Sequence, residues 1–298
     1  MDILSLLNQL PNTLVLAAIL SLAVLGFGFS LRILAYADLS LEGSFVLGAV
    51  VGGIAVSQGV HPLWVIPCAC VSGALSGLLT AVQHCFLKVN KLLSGIISFA
   101  ILYSINLRIL GVPNLSLFDK TGLFQLFSSS PIAANLICGI VIICAFLVVS
   151  RLLHSELGLF MRAYGENPSM VSRAGYSQTP LILVGMAFSN ALVALSGALF
   201  SQYSGYVDIG MGSGMLITCL TSLVLGEILV RPRTIPGFLV AILLGSIICQ
   251  LLQVICLQLN LRPTDYKGIL GLGLILLVFL RKWMLRKGGD AGFGVDVF

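Results

Sequence analysis

The few ionisable side chains of this sequence are spaced in a way that argues against enzymatic chemistry. His61, His84 and His154 fall at the ends of apolar stretches, and none pairs convincingly with an acid or a nucleophile. Cys68 and Cys70 are too close to share one helix face and lack His or carboxylate neighbours, so we expect no metal site. No GxxxxGK(S/T) phosphate loop is present, so we predict no catalytic residue and no cofactor in this chain.

Polar residues inside or beside the apolar stretches are candidates for a path that a solute crosses. Such a path must release what it binds, which favours uncharged polar groups. The candidates are Glu42, Ser44, Asn106, Arg108, Ser189, Asn190, Asp208, Gln250 and Gln253. The hydroxyl and amide groups of Ser189, Asn190, Gln250 and Gln253 could equally form hydrogen bonds between helices.

Two acidic residues have structural interpretations. Glu42 follows Asp38 and lies in the first turn of a predicted helix, where exposed N–H groups and the helix dipole favour a carboxylate. We therefore favour capping by Glu42 over contact with a solute. Glu227 precedes Arg231 by four residues, which predicts an anchoring ion pair on one helix face.

Arg108 ends another predicted helix. An arginine that reaches from such a position to the membrane surface is the common case, and we favour it. The alternative is a contact with Asp119, with Asp208 or with the carboxylate of an incoming solute. Arg108 therefore stays a candidate for the path.

The longest polar interval, residues 158–180, carries the signals of a short helix. The residues that mark this helix are Asn167, Pro168, Met170, Ala174 and Gly175. The asparagine is a good N-cap, the proline suits the first helical position, and the glycine can take the left-handed conformation that ends a helix. So short a helix is marginal alone in water, so we expect other groups to hold it. Spacing alone leaves open a docking helix for a cytoplasmic subunit or a loop helix packed on its own membrane domain.

The composition places the chain in a membrane. Of 298 residues, 58% are hydrophobic and 9% charged, against roughly 45–50% and about 25% in soluble domains. Mean hydropathy is +1.08, so we expect lipid around most of the surface. The net charge of +5 comes from basic residues scattered between apolar runs, so no nucleic-acid partner is expected. The eight cysteines are interpreted as small packing residues.

Apolar runs separated by polar residues predict an all-α polytopic fold of about nine transmembrane helices, some short or discontinuous. The predicted spans are 12–31, 41–57, 63–85, 92–110, 132–153, 181–202, 215–230, 235–259 and 268–280. We predict a single membrane domain over residues 1–298, with a coupling loop at 158–180 and a C-terminal tail at 281–298. Most of the 16 Lys and Arg residues lie on one side of this alternation, so the positive-inside rule predicts a cytoplasmic C-terminus and, for nine spans, an external N-terminus.

Two distant segments are alike in sequence. Residues 37–44 (ADLSLEGS) and residues 207–214 (VDIGMGSG) each precede a short apolar run. Transporters are often built from two related halves whose short helices meet near the transport path. Chance similarity of two interfacial turns is the alternative, and the sequence does not decide between them.

Three stretches of the chain resemble membrane subunits of bacterial ABC importers of the branched-chain amino acid and ribose type. They are RAYGENPSMVSRAGYSQTP with the apolar run that follows it, LRILAYADLSLEGSFVLGAVVGG, and LLSGIISFAILYSINLRILG. Within that family, permeases that accompany tryptophan- or tyrosine-type binding proteins are the most similar. The resemblance covers roughly residues 31–277, and its most specific part is the coupling-loop stretch.

The resemblance implies a permease in the bacterial plasma membrane that works as a pair of membrane subunits, expected to be identical. It also implies two cytoplasmic ABC ATPases, which bind ATP and Mg, and an extracytoplasmic substrate-binding protein. Coupling to the ATPases is then expected at Arg162, Gly165, Asn167, Pro168, Met170, Ala174 and Gly175. The implied cargo is a small solute, an amino acid of the aromatic or branched-chain type. The alternative function is an ion-gradient-driven secondary transporter, although no cluster of acids and histidines lies within the predicted spans.

Overall fold

The computed structural model describes residues 3–118, 120, 122–124, 131–259, 261 and 263–287. Its helices are α1 (Ile3–Gly28), α2 (Leu41–Ser57), α3 (Val65–Cys85), α4 (Lys91–Leu110), α5 (Pro131–His154), α6 (Glu156–Glu166), α7 (Pro168–Arg173), α8 (Gln178–Ser204), α9 (Met215–Val230), α10 (Ile235–Gln258) and α11 (Pro263–Lys287). Two strands, β1 (Asn114–Ser116) and β2 (Tyr206–Asp208), pair antiparallel.

The all-helical membrane fold is confirmed. The nine predicted spans correspond to α1–α5 and α8–α11, while α6 and α7 occupy the predicted coupling loop. Within the described ranges, six helices are long and apolar enough to cross a membrane, or seven if residues 139–154 and 156–166, bent by 74°, form one span. Of the predicted tail, residues 288–298 lie outside the described part of the chain.

The central helix of the fold is α8, which packs against α1, α2 and α3. Glycines permit this close packing. A Cβ on Gly48 of α2 would overlap the carbonyl of Ala194, and one on Gly77 of α3 would overlap the carbonyl of Met186. The small residues of α2 and α3 are therefore used to bring these helices against α8, as expected for membrane helices.

Two short helices, α2 and α9, begin at the same depth and run in opposite directions. The middle of α2 packs on α8, because Gly48 closely approaches Ala194, and the end of α2 packs near Val207 of β2 through Gly53. At ~1.5 Å per residue, 17 residues give α2 a length of about 25 Å, less than the ~30 Å of a bilayer core. The start of α9 contacts the start of α2 through Gly214 and Glu42.

We call the face that bears β1 and β2 the ribbon side and the face that bears α7 the loop side. The chain reaches the start of α2 through a break at residues 34–40, which follows one π-helical turn, Phe29–Ile33. Ala35 has a φ of +47° in this break, a strained conformation for a residue with a Cβ. Lys91 supports it by donating its Nζ proton to the Ala35 carbonyl at 3.1 Å.

Candidate functional site

The predicted coupling loop, residues 158–180, contains the short helix that the sequence predicts. The carboxamide oxygen of Asn167 accepts from the backbone N–H of Ser169 at 3.1 Å, from the Ser169 hydroxyl at 2.7 Å and from the N–H of Met170 at 3.3 Å. Pro168 occupies the first turn of α7. Gly175 has a φ of +83°, the left-handed conformation that was expected to end this helix. Local sequence thus determines both ends of α7.

One face of α7 is anchored and the other is exposed. Val171 is buried against the membrane domain, whereas the Met170 side chain is 64% exposed. Gln178, at the start of α8, donates to the carbonyl of Pro168 at 2.8 Å and to the hydroxyl of Ser172 at 2.6 Å. Ala174 also lies on the exposed part of the loop. One face of α7 is therefore anchored to the rest of the protein, and the other face exposes an apolar methionine.

Two further coupling candidates lie on α6, which leads into α7. Gly165 packs directly on the backbone of the break, since a Cβ there would overlap the Ile33 carbonyl. Arg162 donates from Nε to the carbonyl of Gly158 within its own helix, at 3.4 Å. The glycine therefore connects the coupling loop with the intramembrane break, and the arginine packs along α6.

An ion pair that the sequence did not predict joins this region to α9. Arg32 donates from Nε to Glu227 Oε1 at 2.7 Å and from Nη2 to Oε2 at 2.6 Å. Both side chains are largely buried, at 18% and 14% exposure. The bidentate partner of Glu227 in the structure is Arg32, 195 residues away, and the pairing of Glu227 with Arg231 that sequence spacing indicates stays a prediction. Two parallel charge-assisted hydrogen bonds make this a rigid link.

Glu42 is a capping residue, as expected, but the helix that it caps is α9. Its Oε1 accepts from the N–H of Gly214 at 2.9 Å and from the N–H of Leu216 at 3.3 Å. Gly212 packs against the Glu42 carbonyl, where a Cβ would lie 2.5 Å from the oxygen. The two similar segments, 37–44 and 207–214, therefore meet in space at the starts of the two short helices. We call this meeting point of segments 37–44 and 207–214 the helix junction. Because α2 leads to the ribbon side and α9 to the loop side, the helix junction lies between the two faces.

Asp38 forms the centre of a buried polar cluster that sequence reasoning did not single out. Its carboxylate is 2% exposed and accepts from the Ser40 N–H at 2.8 Å, the Ser40 hydroxyl at 2.6 Å and Asn190 Nδ2 at 2.7 Å. Thr80 of α3 donates to the Ser40 hydroxyl at 3.1 Å. Ser44 lies in the same region and shares a hydrogen bond of 2.8 Å with Ser76.

Several of the path candidates form hydrogen bonds in or near this cluster. Asn190 forms a hydrogen bond with Asp38, and Ser44 forms one with Ser76 of α3. Ser189 donates to the Gly26 carbonyl of α1 at 2.7 Å. Asn106 donates to the Gly43 carbonyl at 3.0 Å, while its buried oxygen has no partner among the described residues. These four side chains form hydrogen bonds between segments of the membrane domain. For Ser189 and Asn190 the sequence left such bonds open as the alternative to a place in the path, and the path assignment of all four stays a prediction.

The remaining path candidates lie away from the helix junction or make no contact that defines a role. Gln250 is buried and Gln253 half-buried on α10. Asp208 lies in the ribbon, where it accepts from the N–H of Gly210 at 2.6 Å and from Asn114 at 3.5 Å. Arg108 is exposed at the end of α4 and forms no ion pair within the described ranges. Its other predicted partner, residue 119, lies outside them.

Comparisons with known proteins agree with this architecture. A family profile described as the permease component of branched-chain amino acid transport systems matches residues 9–279. A tyrosine transport system permease protein of Clostridioides difficile is 34% identical over 262 residues, which cover 88% of this chain and 87% of that protein. The high-affinity branched-chain amino acid transport system permease protein LivH of Escherichia coli (strain K12) is 26% identical over 301 residues, with 92% of each chain covered.

A solved structure has a similar fold. It is an ABC transporter of the metal-chelate type in an inward-facing conformation, and the comparison gives a TM-score of 0.55. The alignment covers 92% of this chain and 87% of that one, at 15% sequence identity. At that identity the likeness concerns the fold alone.

Proposed function

The chain belongs to the family of branched-chain amino acid transport permease components, and from that premise we propose that it forms the membrane path of an ATP-driven ABC importer for an amino acid. It is a permease subunit, and ATP and Mg are bound by a separate cytoplasmic ATPase. The relatives named for tyrosine and for branched-chain amino acids favour a cargo with an aromatic or branched aliphatic side chain. A second copy of the chain completes the path, and an external binding protein delivers the cargo.

The observation that carries this proposal is the construction of α7. A short helix capped at both ends, anchored through Val171 and Gln178, presents an exposed Met170 on its outer face. Such a helix gains no stability from exposing a methionine to water, whereas a partner that covers it would bury apolar surface. We assign Arg162, Gly165, Asn167, Pro168, Met170, Ala174 and Gly175 to coupling with the ATPase.

A continuous set of contacts supports transmission of motion from α7 into the membrane. The coupling helix is joined to α6, Gly165 of α6 rests on Ile33, and the adjacent Arg32 is bonded to Glu227 on α9. A displacement of α7 would then change the position of α9 relative to α2 at the helix junction. The basic residues that follow α9, Arg231 and Arg233, support a cytoplasmic loop side in this proposal, because cytoplasmic loops are rich in Lys and Arg.

The proposal is tested by uptake in proteoliposomes that contain the permease, its ATPase and its binding protein, with radiolabelled L-tyrosine and L-leucine as probes. We expect uptake that requires ATP. The double substitution Asn167→Leu/Pro168→Leu should remove most uptake while the protein stays inserted, and the ATPase should hydrolyse ATP without transport. Ser177→Ala is the matched control, since this hydroxyl caps no helix. Uptake driven by a proton or sodium gradient without ATP would contradict the proposal in favour of a secondary transporter.

A further inference from the structure

An open cavity of about 230 Å³ lies at the helix junction. Its lining residues are Leu39, Glu42, Ile96, Phe99 and Leu216. They come from the break, from the first turns of α2 and α9, and from the middle of α4. Four of the five side chains are apolar and one is a carboxylate, so the cavity combines an apolar wall with a single anionic group.

Among the described residues, only one oxygen of the Glu42 carboxylate accepts hydrogen bonds. Oε1 accepts both backbone N–H groups of α9, while Oε2 has no hydrogen bond to the described residues. The Lys267 side chain packs alongside Gly214, yet it forms no ion pair with Glu42 within the described part of the chain. A carboxylate at this depth in a membrane protein is costly unless it has a partner or a role.

We propose that Glu42 Oε2 binds the ammonium group of the amino acid cargo during translocation, while Leu39, Ile96, Phe99 and Leu216 contact its apolar side chain. The inference rests on the proposed transport function and names the part of the path that recognises the cargo. A small metal ion does not fit this site, because hard cations need several oxygen ligands and the other four lining residues are apolar. One ionic contact in an open cavity holds a cargo weakly enough for release.

The position of the cavity suits a transient binding site. The two helices that supply Glu42 and Leu216 start at the same depth and lead to opposite faces of the membrane domain. In transporters, sites at the meeting point of short helices are accessible from either side as the halves move. Because Glu42 also caps α9, a displacement of α9 carried from the loop side would move the cargo-binding carboxylate directly.

The decisive experiment separates the two roles of this carboxylate. Glu42→Gln keeps an oxygen that can accept from Gly214 and Leu216, but it replaces Oε2 by an amide that repels an ammonium group. Glu42→Ala removes both the oxygen that accepts from α9 and the oxygen proposed to bind the ammonium group. The assay is ATP-dependent uptake of L-tyrosine and L-leucine in proteoliposomes with the ATPase and binding protein, measured together with ATP hydrolysis. Glu156→Gln, in the first turn of α6, is the matched control.

We expect Glu42→Gln to lower the amount of cargo moved per ATP at least fivefold, with wild-type abundance, since hydrogen bonds to charged groups are among the stronger polar contacts. Glu156→Gln should transport normally. If Glu42→Gln transports like the wild type and only Glu42→Ala fails, the carboxylate is merely a cap and the inference is wrong. If the wild type itself shows no ATP-dependent uptake of either probe, the proposed function fails instead.

A second variant tests the apolar wall without touching the cap. Phe99 is 37% exposed and lies outside the core, so Phe99→Ala should leave the fold intact. Loss of the ring removes a favourable contact with an aromatic cargo. We expect the ratio of tyrosine to leucine uptake to fall at least threefold. An unchanged ratio would show that Phe99, and the cavity that it lines, do not contact the cargo.

Discussion

The coupling loop and the helix junction are held together in opposite ways. Asn167 bonds to residues two and three positions away, and Gln178 bonds to residues six and ten positions away. At the helix junction, Asp38 bonds to Asn190 across 152 residues and Glu42 bonds to Gly214 across 172. The loop is therefore a local unit, whereas the helix junction exists only when the whole membrane domain is assembled.

This difference predicts two kinds of mutant. Damage to the loop should weaken transmission to a partner while the membrane domain stays folded, because few long-range contacts depend on it. Damage to the helix junction should reduce the stability of the fold and transport together, because buried polar groups lose partners in a region that joins four helices.

Asp38→Ala is expected to have the largest effect. It leaves two donors of Ser40 and the Nδ2 group of Asn190 without their acceptor in a buried site. At about 1–3 kcal/mol for each stranded group, we expect a loss of about 4 kcal/mol in the free energy of unfolding. The measurement is the midpoint of thermal unfolding in detergent, followed by size-exclusion chromatography.

An exchange of the two groups provides the control for this prediction. Asp38→Asn alone places two amide donors opposite each other, whereas Asp38→Asn with Asn190→Asp restores one donor and one acceptor. The double variant should recover a measurable part of the stability that the single variant loses, but not all of it, because Asn190 Nδ2 also donates to the Met186 carbonyl at 3.1 Å and a carboxylate oxygen introduced at position 190 would face that carbonyl. Equal losses in both variants would show that the hydrogen bond between these side chains is not what stabilises the helix junction.

The Arg32–Glu227 pair is expected to rank second. Glu227→Ala leaves the Arg32 guanidinium largely buried without its bidentate partner, and we expect a loss of about 3 kcal/mol. Uptake should fall with stability, as measured by the same thermal assay and by transport in proteoliposomes. Arg233→Ala, which removes an exposed arginine on the same side, should change neither, and a comparable loss in that variant would argue for a general effect of charge.

The sequence predicted the local unit and the spans but not the long-range contacts. Apolar runs locate helices because each span must satisfy its backbone hydrogen bonds internally, and the cap at Asn167 depends on its immediate neighbours. The partner of Glu42 depends on which helix start lies beside it, and that is decided by glycine-mediated packing on α8. The same reason explains why Arg32, 195 residues from Glu227, was not predicted as its partner and why Asp38 was passed over as a candidate.

Gly165→Ala should have an intermediate effect, because this residue connects the coupling loop with the break that leads to the helix junction. The added methyl group would overlap the Ile33 carbonyl, so α6 must move away from the break. We expect a cost of about 2 kcal/mol in stability and a larger loss of uptake than of ATP hydrolysis. The control is Gly139→Ala on α5, where an added Cβ meets no atom within 4 Å. If Gly165→Ala lowers uptake and ATP hydrolysis by the same factor, motion of the coupling loop is not transmitted to the helix junction through this contact.

Asn167→Ala should have the smallest effect on stability and is the sharpest test of the comparison. The substitution removes three short-range hydrogen bonds, and loss of an N-cap costs about 1 kcal/mol. Because none of those bonds reaches another span, the cost should appear as local opening of α7, seen as faster amide hydrogen exchange at Ser169 and Met170 with an unchanged unfolding midpoint. Ser177→Ala should leave exchange in α7 unchanged. A fall in the global midpoint as large as that of Asp38→Ala would mean that the coupling loop is an integral part of the membrane core, and a partner could then not move it independently.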